Sequence, residues 1–545
     1  MVQPTSAERA PLPQEGRSPD DAKRQVARAA GVVSLATLVS RLAGFVRDVI
    51  IAKVFGAAML ADAFFVAFAI PSLLRRLFAE GALSAAFVPV FSSYLRSHSE
   101  AETRRLVAVA LGAQLLVLLA VTGLGILLSP YLVTIFVPGF YADAEKFALT
   151  VRLTRLMFPF ILFIGIAVLF MGVLNARQHF LTPALAPLML NLGIIGSALW
   201  LTRHLDTPVL ALGVGVLAGG LGQLLLQMPP LYRCGLLVLP RLSFRHPGLR
   251  RIWSLVVPTI VGLSAMQVNL MVDRLLASFL PEGSISYLYY ANRLVQFPLG
   301  AFGAALGVAV LPTMASQASA GAIDQLKATL NFGLRLTFFV SVPATLALII
   351  LGAPIMNVLF ERGAFGAQAT SASAFALSLY AVGLCAFSGI KIATPVYYAL
   401  HDSATPVKLS LIAMGTNVVL NLALMGPLRH GGLALATSLA SFVNLFLLLL
   451  LLRRRLGSID GHRLLRSTAR VSLASLIMAA ALWWGRAALF GPDLALGVKV
   501  VVVVGLSSFG LAVFCALSYA FKCEELDELL RIFRRRHAGT FGKGS

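Results

Sequence analysis

The sequence predicts an all-α polytopic membrane protein with fourteen transmembrane helices, arranged as two six-helix lobes followed by two further helices. Three observations carry that prediction. Hydrophobic residues make up 58% of the 545 and charged residues 12%, which excludes a water-soluble globule of ordinary composition. Apolar runs of about 20 residues or more recur from end to end, each long enough to cross a hydrocarbon core of about 30 Å as a helix. The chain also repeats itself at a fixed offset. The short alternating segments of a membrane β-barrel are missing from the pattern.

Residues 1–26 are rich in Pro and charge without an apolar core, which predicts a disordered cytoplasmic tail, with the first span acting as an uncleaved anchor. The N-lobe, 27–240, takes spans near 28–54, 58–94, 103–128, 146–173, 182–202 and 208–232, each an apolar run ended by Gly, Pro or charge. The C-lobe, 241–456, takes spans near 252–280, 285–316, 328–353, 371–399, 405–425 and 431–452. Two more, near 468–485 and 494–521, fill 457–521. The runs at 58–94 and 285–316 exceed one crossing and are expected to tilt, to kink at Pro71 or Pro298, or to project beyond the bilayer. Residues 522–545 read as a basic amphipathic tail on the inner leaflet.

The net charge is +22, from 45 Lys and Arg against 23 Asp and Glu. In a soluble protein that balance suggests nucleic acid; here it sits mostly between spans, and no nucleic-acid partner is expected. Loops on one side carry seventeen Lys and Arg, and those on the other carry five: Lys146, Arg203, Arg362, Arg429 and Arg486. The richer side, with both termini, is expected in the cytoplasm. The four cysteines show no CxxC pair, so neither disulfide nor metal cluster is expected. "GVGVLAGG" at 213 lacks the preceding strand and following Lys of a nucleotide loop, and Gly215 with Gly219 reads as close helix packing.

"ILLSPYLVTIFVPGF" at 126 aligns with "IILGAPIMNVLFERGAF" at 349, and "ARQHFLTPA" at 176 with "ALHDSATPV" at 399; both offsets are 223. A six-span unit has therefore been duplicated. Six is even, so the copies share orientation, and a cavity is expected between the lobes.

The duplication tests which charges the fold itself needs. Arg41, Arg47, Asp62, Arg75 and Arg76 fall in apolar stretches of the first copy and correspond to Ser264, Leu270, Ile285, Pro298 and Leu299 of the second. Arg293 in "YYANRLVQFP" corresponds to Ile70. A charge at the bilayer centre costs about 2.5–3.5 kcal/mol on insertion scales, so such residues face protein interiors or wet cavities. Guanidinium forks suit the oxygens of phosphate or diphosphate, with Asp62 orienting an arginine or forming an alternative ion pair. Snorkelling to the inner interface is an open alternative for Arg75 and Arg76. Arg41 and Arg47 are six residues apart, about 120° around a helix, and reach one cavity only if the helix bends, which Gly44 permits. For Arg152, Arg155, Arg335, Lys391 and Lys499, cavity lining and ordinary helix-end roles are both open. Asp273, Asn417, Asn421 and Thr437 offer oxygens for a small hard cation such as Na⁺, or else make ordinary pairings with Arg274 and between helices.

The stretch "SRLAGFVRDVIIAKVFGAAMLADAFFVAFAIPSLLRRLFAEGALSAAFVP", with "YYANRLVQFPLG" and "TPV" after the tenth span, closely resembles the MurJ (MviN) family of lipid II flippases. The resemblance covers about residues 28–521. It implies the multidrug/oligosaccharidyl-lipid/polysaccharide exporter superfamily, and a transporter, not an enzyme, of peptidoglycan biosynthesis in the bacterial inner membrane. It further implies that Arg41, Arg47, Arg75 and Arg293 match required arginines and Asp62 the cavity aspartate, with a lateral groove for a polyprenyl tail formed by the last two helices. The implied partners are lipid II, membrane lipids and the cell-wall synthesis machinery, with no cofactor and with coupling to Na⁺, protons or the membrane potential. Two departures stand out: relatives carry an acidic residue where this chain has Asn292 or Gln296, and sodium-binding members carry Asp in place of Asn421. A flippase for another polyprenyl-diphosphate precursor satisfies the same electrostatics. A multidrug exporter would want acidic or aromatic lining, and a membrane glycosyltransferase a catalytic pairing among the outer carboxylates.

Overall fold

The structure, a computed structural model, describes residues 19–76, 84–491 and 493–528. Most of the tail expected over 1–26, Glu80 and residues 529–545 of the basic tail lie outside the described residues. Among the described residues every regular element is helical.

Contacts divide the chain into two compact units: residues to Phe55 with Met59–Leu275, and Gly56–Ala58 with Leu276 onward. The first holds α1 (Pro19–Phe55), α2 (Met59–Leu74), α3 (Ser84–Ser97), α4 (Glu100–Leu127), α5 (Ser129–Phe136), α6 (Ala144–Met157), α7 (Phe160–Ala176), α8 (Leu181–Trp200), α9 (Leu210–Arg233) and nearly all of α10 (Pro247–Ala277). The second holds α11 (Ser284–Ser319), α12 (Ile323–Phe360), α13 (Ala367–Val382), α14 (Leu384–Ala399), α15 (Ala404–Leu428), α16 (His430–Leu456), α17 (Gly461–Leu489) and α18 (Leu496–Ala520).

Among the described residues nine helical stretches are long and apolar enough to cross a membrane, ten if α13 and α14 count as one bent span. They lie on ten of the predicted runs. The described residues of the other four, near 28–54, 58–94, 252–280 and 285–316, are also mainly helical, and all five residues predicted to bind substrate stand on or beside them. The chain is thus a multi-pass α-helical membrane protein.

The duplication reappears in the helices themselves. α4 and α12 start at Glu100 and Ile323, α6 and α13 at Ala144 and Ala367, α8 and α15 at Leu181 and Ala404, each pair 223 apart. α7 and α14 end at Ala176 and Ala399 with the same spacing. Beyond those ends Gln178 (φ 61°) and His401 (φ 59°) take the left-handed conformation. The N–H groups of His179 and Asp402 then reach back to the carbonyls of Leu174 and Tyr397, at 2.9 and 2.8 Å, satisfying orphan carbonyls of each helix end.

Lipid gives apolar helices no solvent-driven reason to associate, so close packing of small residues does much of the work. α8 meets α9 at such a seam: a Cβ on Gly219 would lie 2.6 Å from Leu190 Cα, and one on Gly193 the same distance from Gly215 O. The reading of Gly215 and Gly219 as packing residues holds. Larger side chains fill each unit, Phe87, Phe91 and Phe170 in the first and Tyr397 with Leu448 in the second, where Tyr397 Oη donates to Leu448 O at 2.7 Å. α17 and α18 lie on α12 through Phe339, Met478, Leu482 and Phe514.

Three expectations about helix continuity need amendment. α1 continues unbroken through Gly44, whose buried position lets neighbouring elements approach and opens no hinge. The runs at 146–173 and 371–399 are each broken, the first near Pro159 and the second at Gly383, with a bend of 40° there. Pro71 and Pro298, in contrast, lie inside α2 and α11.

Candidate functional site

Helix geometry spaces the predicted charges before any side chain is considered. At 1.5 Å per residue from the facing ends of α1 and α2, Asp62 lies about 5 Å along α2, Arg47 about 12 Å and Arg41 about 21 Å along α1, and Arg75 about 24 Å along α2. They form a ladder in which Arg41 and Arg75 stand at similar levels. Asp62 and Arg75 stand about 20 Å apart, too far to share a diphosphate or to pair with each other.

Arg47 is the most constrained rung. Its Nη2 and Nε donate to Asp48 Oδ1 at 2.6 and 3.0 Å, and its Nη1 donates to Asn191 Oδ1 at 3.2 Å. Asn191, on α8, donates in turn to the Ser40 carbonyl of α1 at 3.1 Å, so one amide ties the guanidinium to the backbone about two turns before it. The Arg47 side chain is 12% exposed and that of Asp48 is fully buried. This arrangement fixes the plane of the fork.

Asp62 stands in the first turn of α2 and takes Lys146, from the first turn of α6, at 3.0 Å between Oδ2 and Nζ. Lys146 also lies 4.2 Å from the Phe140 ring centroid, a cation–π contact inside a buried pocket. Lys146, expected in a loop at the outer face, is instead a buried ion-pair partner, because α6 begins just before it and Asp143 caps that start by accepting from Lys146 N at 3.0 Å. Arg41 is exposed on α1, and Arg75 is half-buried in the π-turn that follows α2 beside exposed Arg76. Arg293, on α11 of the second unit, is half-buried with exposed Gln296 one turn on. Arg152, Arg155 and Lys391 are exposed, whereas Arg335 is buried in an ionic cluster at the far end of α12.

Asp48, Asn191 and Lys146 are the partners that the sequence reading did not single out. The repeat contains the signal for all three: their counterparts in the second copy are Met271, Met414 and Ala369. Both polar groupings of the first unit are therefore apolar in its duplicate, down to the partners.

The candidate cation residues divide between the units. Asp273 lies half-buried on α10 in the first. In the second, Asn421 Nδ2 donates to Asn417 Oδ1 at 3.0 Å, Asn417 Nδ2 to Thr437 Oγ1 at 3.3 Å, and Thr437 Oγ1 to Leu433 O at 2.9 Å. The oxygens of Asn417 and Thr437 thus accept from amide N–H groups, as in an interhelical hydrogen-bond chain. That arrangement does not fit an oxygen cage for a hard cation. No group of three or more His, Cys, Asp or Glu suited to a metal occurs among the described residues.

Comparison with known proteins places this arrangement. The model of the family described as lipid II flippase MurJ matches residues 51–505. A probable lipid II flippase MurJ of Vibrio cholerae is 38% identical over 499 residues, covering 89% of this chain and 94% of that protein. The lipid II flippase MurJ of Burkholderia cenocepacia is 36% identical over 461 residues, covering 84% and 89%. Among solved structures, lipid II flippase MurJ in an inward closed conformation superposes with a TM-score of 0.73 at 26% identity, covering 90% of this chain and 98% of that one. An inward-facing multidrug resistance MATE family transporter of the MOP superfamily shares the fold at 13% identity and a TM-score of 0.62, covering 79% and 99%. The chain belongs to the MurJ family of lipid II flippases.

Proposed function

We propose that this chain moves lipid II from the inner to the outer leaflet of the bacterial cytoplasmic membrane by alternating access, with both termini in the cytoplasm. Family membership supports the substrate. The observation that carries the role of the site is the charged ladder of the first unit, none of whose charges the duplicated copy keeps. Arg41, Arg47, Arg75 and Arg293 are the groups we assign to the diphosphate. Arg47 presents a fork already oriented by Asp48 and Asn191, which lowers the ordering cost of binding phosphate oxygens. Asp62 with Lys146 supplies a cation whose carboxylate partner is at hand, so a passing phosphate competes with Asp62 for the ammonium and release is built into the same pair. An inside-negative potential favours outward movement of the anionic head group by about 2.3 kcal/mol per charge per 100 mV. No step is routed through Na⁺, and contact with the cell-wall synthesis machinery is a further expectation of this reading. Replacing Arg41, Arg47, Arg75 and Arg293 singly by Gln, with outer-leaflet lipid II scored in cells that depend on this chain, tests the assignment. Translocation is expected to fall in each; normal translocation by all four at ordinary protein levels would remove it.

A further inference from the structure

One concentration of charge in the second unit involves none of these residues. Arg335 is buried on α12 and meets Glu524 at 2.9 Å and Glu525 at 2.6 Å, both in the segment after α18. Its Nε donates to Asn331 Oδ1, and the Asn331 amide donates to the carbonyls of Ile459 and Asp460 ahead of α17. The first copy has Gly112 and Ala108 at the positions of Arg335 and Asn331, so the cluster is peculiar to the half that carries the two added helices.

A cavity of about 320 Å³ opens beside it. Its carboxylates are already engaged: Glu524 bridges Arg335 and Arg463, Glu525 holds Arg335 and accepts from Ser467 Oγ at 2.8 Å, and Asp460 accepts from the Arg463 N–H. Cys523 also lines it, with His462, Arg466 and Arg470, the last three spaced i, i+4, i+8 on one face of α17. Arg466 reaches the His462 ring at 3.5 Å and Arg470 donates to the Lys522 carbonyl at 3.2 Å; among the described residues neither has a carboxylate partner.

The same stripe of α17 continues as Leu473, Ile477 and Trp484, exposed by 52%, 41% and 72%. Arg466 and Trp484 are about 27 Å apart along the helix, close to the hydrocarbon thickness of about 30 Å, with the tryptophan at the level of an interfacial aromatic belt. Arg466 therefore stands at head-group depth, with Arg470 about 6 Å further in, where the apolar stripe begins.

The geometry points to a binding site for the phosphodiester of an anionic glycerophospholipid, its phosphate against Arg466 and Arg470 and its acyl chains along Leu473 and Ile477. Guanidinium forks match phosphate oxygens, and the apolar continuation selects a lipid over a free anion. The site is independent of which lipid the chain flips. Its test uses full-length protein in detergent, offered phosphatidylglycerol and phosphatidylcholine in mixed micelles, with retained lipid counted by native mass spectrometry. Phosphatidylglycerol is expected to be preferred, and its affinity to fall about 5-fold for each arginine removed in R466Q/R470Q. R453Q/R454Q, an equal loss of charge at the end of α16, is expected to leave it unchanged. Unaltered retention by R466Q/R470Q, or an equal loss in the α16 control, overturns the site. Inorganic phosphate is the third arm: protection of the protein by phosphate without preference for phosphatidylglycerol assigns a free anion and overturns the lipid. If the double variant does not fold, R466Q alone carries the same comparison with an about 5-fold loss.

Discussion

At Asp62 and Lys146 the two halves of the chain serve as controls for each other. The pair is buried at 3.0 Å in the first, and Ile285 with Ala369, also buried, fills the same positions in the second. A buried ion pair is seldom worth more to stability than apolar residues of similar volume, but removing one partner strands a charge at a cost of about 3–5 kcal/mol. K146A alone is therefore expected to lower the thermal unfolding midpoint sharply, and Asp62→Ile with Lys146→Ala together to recover most of the loss. The arginines were legible in the sequence because a guanidinium in an apolar run stands out. Lys146 was not, since it follows the polar stretch 141–145, where a cation is ordinary and only the fold shows it turned inward. Outside the spans, the Arg463 hydrogen bond, then Arg335, holds the Glu524 carboxyl below its usual range, while burial pushes Glu528 up against the opposing pull of Arg335. The Glu524 contribution is present above the ordinary carboxylate range and is lost as pH falls through its depressed value. Glu528 has the reverse sign, its contribution being lost as pH rises through its raised value. Thermal midpoints measured against pH are expected to lose the acid-side decline in E524Q and the decline on raising pH in E528Q.

At the scale of the element, helix positions followed from apolar periodicity, and helix breaks did not. The runs at 146–173 and 371–399 stay largely apolar across their breaks, so no change of composition marks where a helix stops; packing decides. A Cβ on Gly383 would lie 2.7 Å from both Ser438 Oγ and the Phe387 ring, and 2.8 Å from Ser438 Cα, a contact with backbone that cannot yield cheaply. G383A is expected to destabilise by about 1–3 kcal/mol. Gly426, inside α15 with open space around it, is the matched control, and G426A is expected to be neutral or stabilising by about 0.5–1 kcal/mol. Equal midpoints for the two variants would place the cause of the break elsewhere. The spacing likewise needed the helices: only the course of α2 puts Asp62 and Arg75 about 20 Å apart.

For the whole molecule, duplication explains the fold and its asymmetry explains the work. Helix starts and ends recur 223 residues on, yet the polar groups do not recur with them. Residues kept in one copy and replaced in the other are not needed by the fold the copies share, and under the proposed function they answer to the anionic head group of lipid II. The duplication was readable from the sequence alone; the partners Asp48, Asn191 and Lys146 emerge only when the fold says which residues meet. The measurement that bears most directly on the central claim is outer-leaflet exposure of lipid II in cells depending on Asp62→Ile/Lys146→Ala, with thermal stability of the purified variant alongside. Near-ordinary stability with translocation lost is the predicted result. Stability and translocation both retained would mean the buried pair takes no part in transport, and a variant that fails to fold would mean the charges serve the fold after all.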